Sequence, residues 1–220
     1  MHKIPSSGER RVTLLSYYRK ATANAKRHRR TRRQLTVSGN DTREERGLVV
    51  VLTGHGKGKT TAALGIALRA AGYRMKVCIV GFIKGDACAS GEREGIKRLA
   101  PDVELHLSGK GFCGMRGDRY PFEEHRAKAQ EALRLARDKM LSGQFDVLVL
   151  DEITNAIQLG LVDLSQVLDL LDEKPPAVHI VLTGRDAPTD LIERADTVTE
   201  MREIKHAYRQ GVGPRKGIDY

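Results

Sequence analysis

The stretch TGHGKGKTT at 53–61 separates an apolar, β-branched run, GLVVVLT at 47–53, from an alanine- and leucine-rich run, TTAALGIALRAAG at 60–72. A glycine-rich loop between a strand and a helix is the context of a P-loop. Gly54, Gly56 and Gly58 let the backbone turn sharply and aim its N–H groups at an anion. The helix that starts near Lys59 adds the positive end of its dipole. Lys59 supplies a point charge to phosphates, and the Thr60 hydroxyl can ligate Mg²⁺. The strict pattern G-x-x-x-x-G-K-[ST] would need glycine where Thr53 stands; the glycine comes one residue later, and an extra lysine, Lys57, enters the loop. The loop is therefore a variant, although the strand and helix on either side set it apart from a chance glycine-rich turn.

Downstream, strands and helices alternate. Strands are expected at 76–83, 103–109, 145–152, 177–184 and 196–201, with helices at 91–100, 121–142, 164–172 and 188–194. Continuous apolar strands between helices predict an α/β fold of the P-loop NTPase kind, with a mostly parallel sheet and helices on both faces. FDVLVLDE at 145–152 delivers two acids, Asp151 and Glu152, to the strand end where ligands of such sheets bind. A hard cation takes oxygen ligands and keeps several waters, so one or two carboxylates suffice. The competing reading is an acid pair stabilising the start of the next helix.

Charge divides the chain. Residues 1–46 hold 13 Lys/Arg and 4 Asp/Glu, while residues 47–220 hold 25 and 24, so the basic character belongs to an N-terminal arm and the body is nearly neutral. The overall net charge of +10 is thus no argument for nucleic-acid binding. The arm (1–46) carries the run KRHRRTRR at 26–33 and lacks a sustained apolar face. It reads as a mobile or helical appendage to a domain at 47–220, and its composition also matches a transit peptide. The longest unbroken apolar run, around Val49 to Leu52, is too short to span a bilayer. Three cysteines without paired spacing argue against a disulfide framework or a Cys-rich zinc site, and for a reducing, cytoplasmic compartment. None of the seven histidines has a metal-ligand spacing; His106 and His179 read as core or edge residues.

TGHGKGKTTAALGIALRAAG at 53–72, GFIKG at 81–85, GERE at 91–94, GKGF at 109–112, LVLDEI at 148–153, LTGRDAP at 182–188, LIERADTVTEM at 191–201 and KHAYRQGVGPRKGIDY at 205–220 follow in one order. Together they resemble the P-loop corrinoid adenosyltransferase family, also called cob(I)yrinic acid a,c-diamide adenosyltransferases, over about residues 44–220. The resemblance implies that the cobalt(I) of a reduced corrinoid attacks the 5′ carbon of ATP's ribose and the whole triphosphate leaves, in adenosylcobalamin biosynthesis or salvage. It implies ATP as co-substrate, held in the loop in the reverse of the usual direction, Mg²⁺ or Mn²⁺, a homodimer, and a flavoprotein as possible reductant. No protein nucleophile is needed, because the cofactor substrate carries the hard step. The positions Gly54, His55, Gly56, Lys57, Gly58, Lys59, Thr60 and Thr61 match the family's phosphate loop, with His55 where Asn is common. Thr60, Asp151 and Glu152 match the metal region, Glu152 foremost, and Arg185 matches the TGR turn at the nucleotide. Lys59 and Phe112 are the catalytic candidates, the latter from a G-F-T-W element that helps remove cobalt's lower ligand. Here that element reads GFCGM at 111–115: Cys113 replaces Thr and Gly114 replaces Trp. Cys113 as a thiolate ligand of cobalt stands against Cys113 as a free loop thiol. The arm at 9–35 is expected to fold over the corrinoid. Two alternatives remain at this point: a corrinoid- and ATP-binding carrier or sensor with weak transfer, and a nucleic-acid-stimulated P-loop ATPase.

Overall fold

The computed structural model describes residues 46–85, 90–111, 113 and 118–220. The chain divides into two units, Met1–Thr42 and Arg43–Tyr220, and everything described falls in the second. The arm before residue 46, Cys88, Phe112, Gly114 and Met115 lie outside the described residues.

Six strands form one parallel sheet: β1 Val49–Thr53, β2 Val77–Gly81, β3 Val103–Leu107, β4 Val147–Asp151, β5 His179–Thr183 and β6 Thr197–Glu200. Their order across the sheet is β3-β2-β4-β5-β1-β6. The helices are α1 Lys59–Gly72, α2 Gly91–Lys97, α3 Phe122–Leu141, α4 Ile153–Gln158, α5 Leu164–Asp172 and α6 Thr189–Arg194. The α/β expectation therefore holds, and each strand and helix read from the sequence is present, trimmed by one to three residues at most ends. Helix α4 was not foreseen: at 6 residues it is too short to show a helical period. A 3₁₀ turn at Ala207–Gln210 was also missed.

Alternation along the strands sends successive side chains to opposite faces. Val51, Val80, Leu148, Leu150, Ile180 and Leu182 face one core, closed by Ala129, Ala132, Ala136 and Met140 of α3, Val167 and Leu170 of α5 and Leu191 of α6. Leu52, Ile79, Val149 and Val181 face the other, closed by Ala63, Ala67 and Ala70 of α1 and Ile96 of α2. The three alanines recur at helical spacing, so α1 presents a small-residue stripe and runs close over the sheet. The four side chains of β6 are exposed.

Because β5 lies between β1 and β4, the phosphate loop and the acid pair are separated by one strand. The residue at the end of β5 must bridge them, and that residue is Thr183.

Candidate active site

The phosphate loop turns back under the end of β6. At Gly54, φ is 95°, and a Cβ there would stand 2.4 Å from the Met201 carbonyl oxygen. Only glycine tolerates both the left-handed backbone and the approach. The Gly56 N–H donates to the same carbonyl at 2.6 Å. The lysine of the loop, Lys59, donates from Nζ to the carbonyls of Gly54 (2.6 Å) and Gly56 (2.8 Å). Burial lowers its pKa from the ordinary lysine value, and Arg185 lowers it further. No acid occupies the first turn of α1, and the carboxylate that meets this positive end of the dipole is Asp151, through Thr60.

Asp151 Oδ1 accepts from the Thr60 hydroxyl at 2.9 Å and from the Thr183 hydroxyl at 2.7 Å. Thr183 Oγ1 in turn accepts from the Glu152 N–H at 2.9 Å. Glu152 has a left-handed backbone, φ 62°, and its Oε2 is buried without a hydrogen-bond partner. Burial, and then the neighbouring Asp151, push its pKa up to about 7. Thr60, Asp151 and Glu152 together offer hard oxygen donors. The Thr60 hydroxyl gives its proton to Asp151 and keeps its lone pairs, and the Glu152 oxygen lacks any other partner. This set fits a divalent cation such as Mg²⁺.

Arg185 is set by α4. At Gly184, φ is 141°, and a Cβ would stand 2.1 Å from Thr154 Oγ1. The Arg185 N–H donates to Asn155 Oδ1 at 2.8 Å, and its carbonyl accepts from Thr154 Oγ1 at 2.7 Å. These groups open into a cleft of about 970 Å³. Lys57, Gly58, Lys59, Thr60, Thr61, Glu152 and Arg185 line it, joined by Lys84, Glu92, Cys113 and the tail residues Gly217–Tyr220. Its volume is at the upper end for small-molecule sites. Gly54, His55 and Gly56 are at the back of the loop, where His55 Nε2 pairs with Asp186 Oδ1 at 2.8 Å. Asp151 stands behind the cleft and borders a small neighbouring cavity.

Sequence reasoning missed Thr183, Asn155, Lys84 and Asp219. A hydroxyl ending the buried run at 177–184 was the available signal for Thr183. Lys57 Nζ pairs with Asp219 Oδ1 at 2.6 Å, a contact across 162 positions that no local pattern could reveal. His206 Nδ1 accepts from the Tyr208 N–H at 3.2 Å and so caps the 3₁₀ turn. His179 Nδ1 accepts from the Leu48 N–H at 3.1 Å, a role at the strand edge. No histidine has a metal-ligand spacing along the chain, yet the fold brings His106 and His125 into mixed groups that spacing does not show. Each meets a cysteine and a carboxylate in space, and the mixed spacings follow no recognised template. Burial and the charge of Asp118 push the Cys113 thiol up, which disfavours a free thiolate.

The model of the family described as ATP:corrinoid adenosyltransferase BtuR/CobO/CobP matches residues 45–220. A corrinoid adenosyltransferase of Pseudomonas aeruginosa is 39% identical over 178 residues, 81% of this chain and 86% of that one. One from a Sinorhizobium species is 40% identical over 179 residues, 80% and 82% of the two chains. One from Escherichia coli K12 is 36% identical over 194 residues, covering 88% and 96%. The resemblance drawn from the motifs thus holds, and the chain belongs to the ATP:corrinoid adenosyltransferase family.

Proposed function

We propose that the chain transfers the 5′-deoxyadenosyl group of ATP to the cobalt(I) of a corrinoid, with the phosphate loop holding the departing triphosphate. The observation that carries this is the convergence of Lys59, Thr60, Glu152 and Arg185 on one cleft in a chain of this family. Cobalt(I) supplies the electron pair for the new cobalt–carbon bond. The C5′–O5′ bond breaks, and triphosphate leaves with that bond's electrons. No protein base is required, so the protein orients the reactants and stabilises charge on the leaving group.

Lys59 and Lys57 serve the phosphates. For Lys59, this exchanges carbonyl partners for phosphate oxygens; for Lys57, it competes with Asp219. Thr60, Asp151 and Glu152 would hold the divalent cation, which adds positive charge beside the phosphates. Glu152 gives up its proton when it takes a cation, since a positive charge reverses the effect of burial and of Asp151. Arg185 borders the nucleotide. The large open remainder of the cleft, on the side of Lys84, Glu92 and the tail, receives the rest of the substrates. A homodimer and a flavoprotein electron donor belong to the same reading. No described helix is long and apolar enough to cross a membrane.

Phosphorus NMR of the full chain with ATP and a chemically reduced corrinoid tests this reading. Inorganic triphosphate, formed together with the cobalt–carbon product, is expected. ADP and phosphate would replace it with the ATPase reading. Corrinoid binding without release of either would replace it with the carrier or sensor reading.

A further inference from the structure

Cys113 lines the cleft, and two further side chains meet it there. The ligating atoms of Cys113, Asp118 and His125 all lie within 4.8 Å of one another. His125 Nε2 is 3.0 Å from Asp118 Oδ1, with the two side chains only 3% and 14% exposed. Local structure holds both. His125 is in the first turn of α3, and the edge of its ring meets Tyr120, with centroids 6.1 Å apart and planes at 81°. Asp118 Oδ1 also accepts from the Tyr120 N–H at 3.1 Å, which folds the carboxylate back towards α3. None of the three has a part in phosphate or Mg²⁺ binding.

We propose that Cys113, Asp118 and His125 form a binding site for a divalent transition-metal ion of the zinc class, separate from the cation site at Thr60, Asp151 and Glu152. The donors decide the class. Thr60, Asp151 and Glu152 offer oxygen alone, which suits a hard cation. A thiolate, an imidazole and a carboxylate suit borderline-soft Zn²⁺ or Co²⁺. Zn–S near 2.3 Å and Zn–N near 2.0 Å put tetrahedral ligand atoms roughly 3.3–3.6 Å apart. Asp118 and the buried His125 imidazole, 3.0 Å apart, are the fixed points, and Cys113 has to turn towards them to close the site. Three protein ligands leave one position for water or an exogenous ligand at the cleft wall.

The other Cys/His/carboxylate group among the described residues does not qualify. Cys78 is fully buried within the sheet and lines neither cavity, whereas Cys113 lines the cleft.

The test uses the full chain, stripped with a chelator, in the absence of ATP and corrinoid, so its result is independent of adenosyl transfer. Titration with Co²⁺ should produce a thiolate-to-cobalt charge-transfer band that saturates at one equivalent and is abolished by Zn²⁺. Co²⁺ held by the oxygen donors of Thr60, Asp151 and Glu152 has no sulfur ligand and gives no such band. Cys113→Ser should lose the band and the tightly held Zn²⁺. Asp118→Asn should keep the band but release zinc more readily to a competing chelator. Circular dichroism checks that both variants fold. A wild-type protein without the band, a band that survives Cys113→Ser, or equal zinc retention by wild type and Cys113→Ser would overturn the proposal.

Discussion

Along the wall of the cleft that carries the phosphate loop, the polar contacts join the start of α1 to residues at the ends of β4 and β5. Thr60, Asp151, Thr183 and Glu152 form one chain of hydrogen bonds that joins the first turn of α1 to the ends of β5 and β4. A second wall comes from the segment after β2, from α2, from Cys113 and from a tail that ends at Tyr220. The tail folds on itself through the Gly217 N–H to the Tyr220 carbonyl (2.7 Å) and the Arg215 N–H to Asp219 Oδ2 (2.7 Å), and Asp219 reaches the loop by an ion pair to Lys57. Strand register fixes the first wall, because a slip by one residue would exchange the side chains that fit the two different cores. Solvent-exposed pairing ties down part of the second. Substitutions on the first wall should abolish activity or reshape stability, and substitutions at the tail should only tune affinity.

The sharpest test of the first wall is Lys59→Ala. Transfer should fall by about 3–4 kcal/mol in transition-state stabilisation, or roughly 10²–10³-fold. The fold should persist, since the side chain bonds only to carbonyls of its own loop. Triphosphate release measured against circular dichroism separates the two effects. Near-normal turnover would show that the strand-end wall does not hold the leaving group.

Glu152→Gln probes the cost of building that wall. A carboxyl whose pKa rises from 4.5 to about 7 on folding binds more protons in the folded than in the unfolded state between those values. Its contribution to stability therefore diminishes as pH rises through that window. Above pH 7 the penalty reaches about 3 kcal/mol; below pH 4.5 it is absent. The glutamine variant should be more stable than wild type by up to that amount at pH 8 and equal to it at pH 4, by urea denaturation without ligands. It should also lose cation affinity and transfer. Equal stability at pH 8 would mean that Glu152 is not held at a cost.

Gly184→Ala tests whether α4 sets Arg185. An added Cβ meets Thr154 Oγ1 at 2.1 Å on a backbone with φ 141°. Strain and crowding should cost about 2–3 kcal/mol in stability. ATP affinity should fall as well, because the Arg185 backbone is positioned through Thr154 and Asn155. Lost stability with unchanged ATP affinity would confine the role of Gly184 to packing.

The same contrast explains what the amino-acid sequence makes legible. The P-loop, the acid-bearing strand and the parallel sheet are encoded in runs of 5 to 20 residues, where period and glycine placement are decisive. Glu152 was visible as an acid at a strand end, but its unpartnered oxygen was not, because burial depends on how β4, β5 and Lys84 assemble. Thr183 lay in a recognised segment, yet its bridging role follows from the strand order. Cys113 stood out as a departure at 111–115, but nothing in the sequence joined it to His125. They meet only because α3 starts where it does. The Lys57–Asp219 pair spans most of the domain and leaves no local trace.

Asp219→Asn should have the smallest effect and the most informative sign. Lys57 and then the Arg215 N–H hold the Asp219 carboxyl below the usual carboxylate range, so it stays ionised throughout the working range and competes for Lys57. The lysine is 45% exposed and the carboxylate 25%, a setting in which ion pairs add little to stability. Melting behaviour should barely change. Removing the charge frees Lys57 for the phosphates, so KM for ATP should fall modestly while kcat holds. Lys57→Ala should raise KM, and Asp219→Asn in that background should add nothing. Because the pair is exposed, raising the salt concentration should shrink the gain from Asp219→Asn. A rise in KM in the asparagine variant would mean that the tail's carboxylate supports the nucleotide site rather than competing with it. The second wall would then be part of the binding machinery on the same footing as the first.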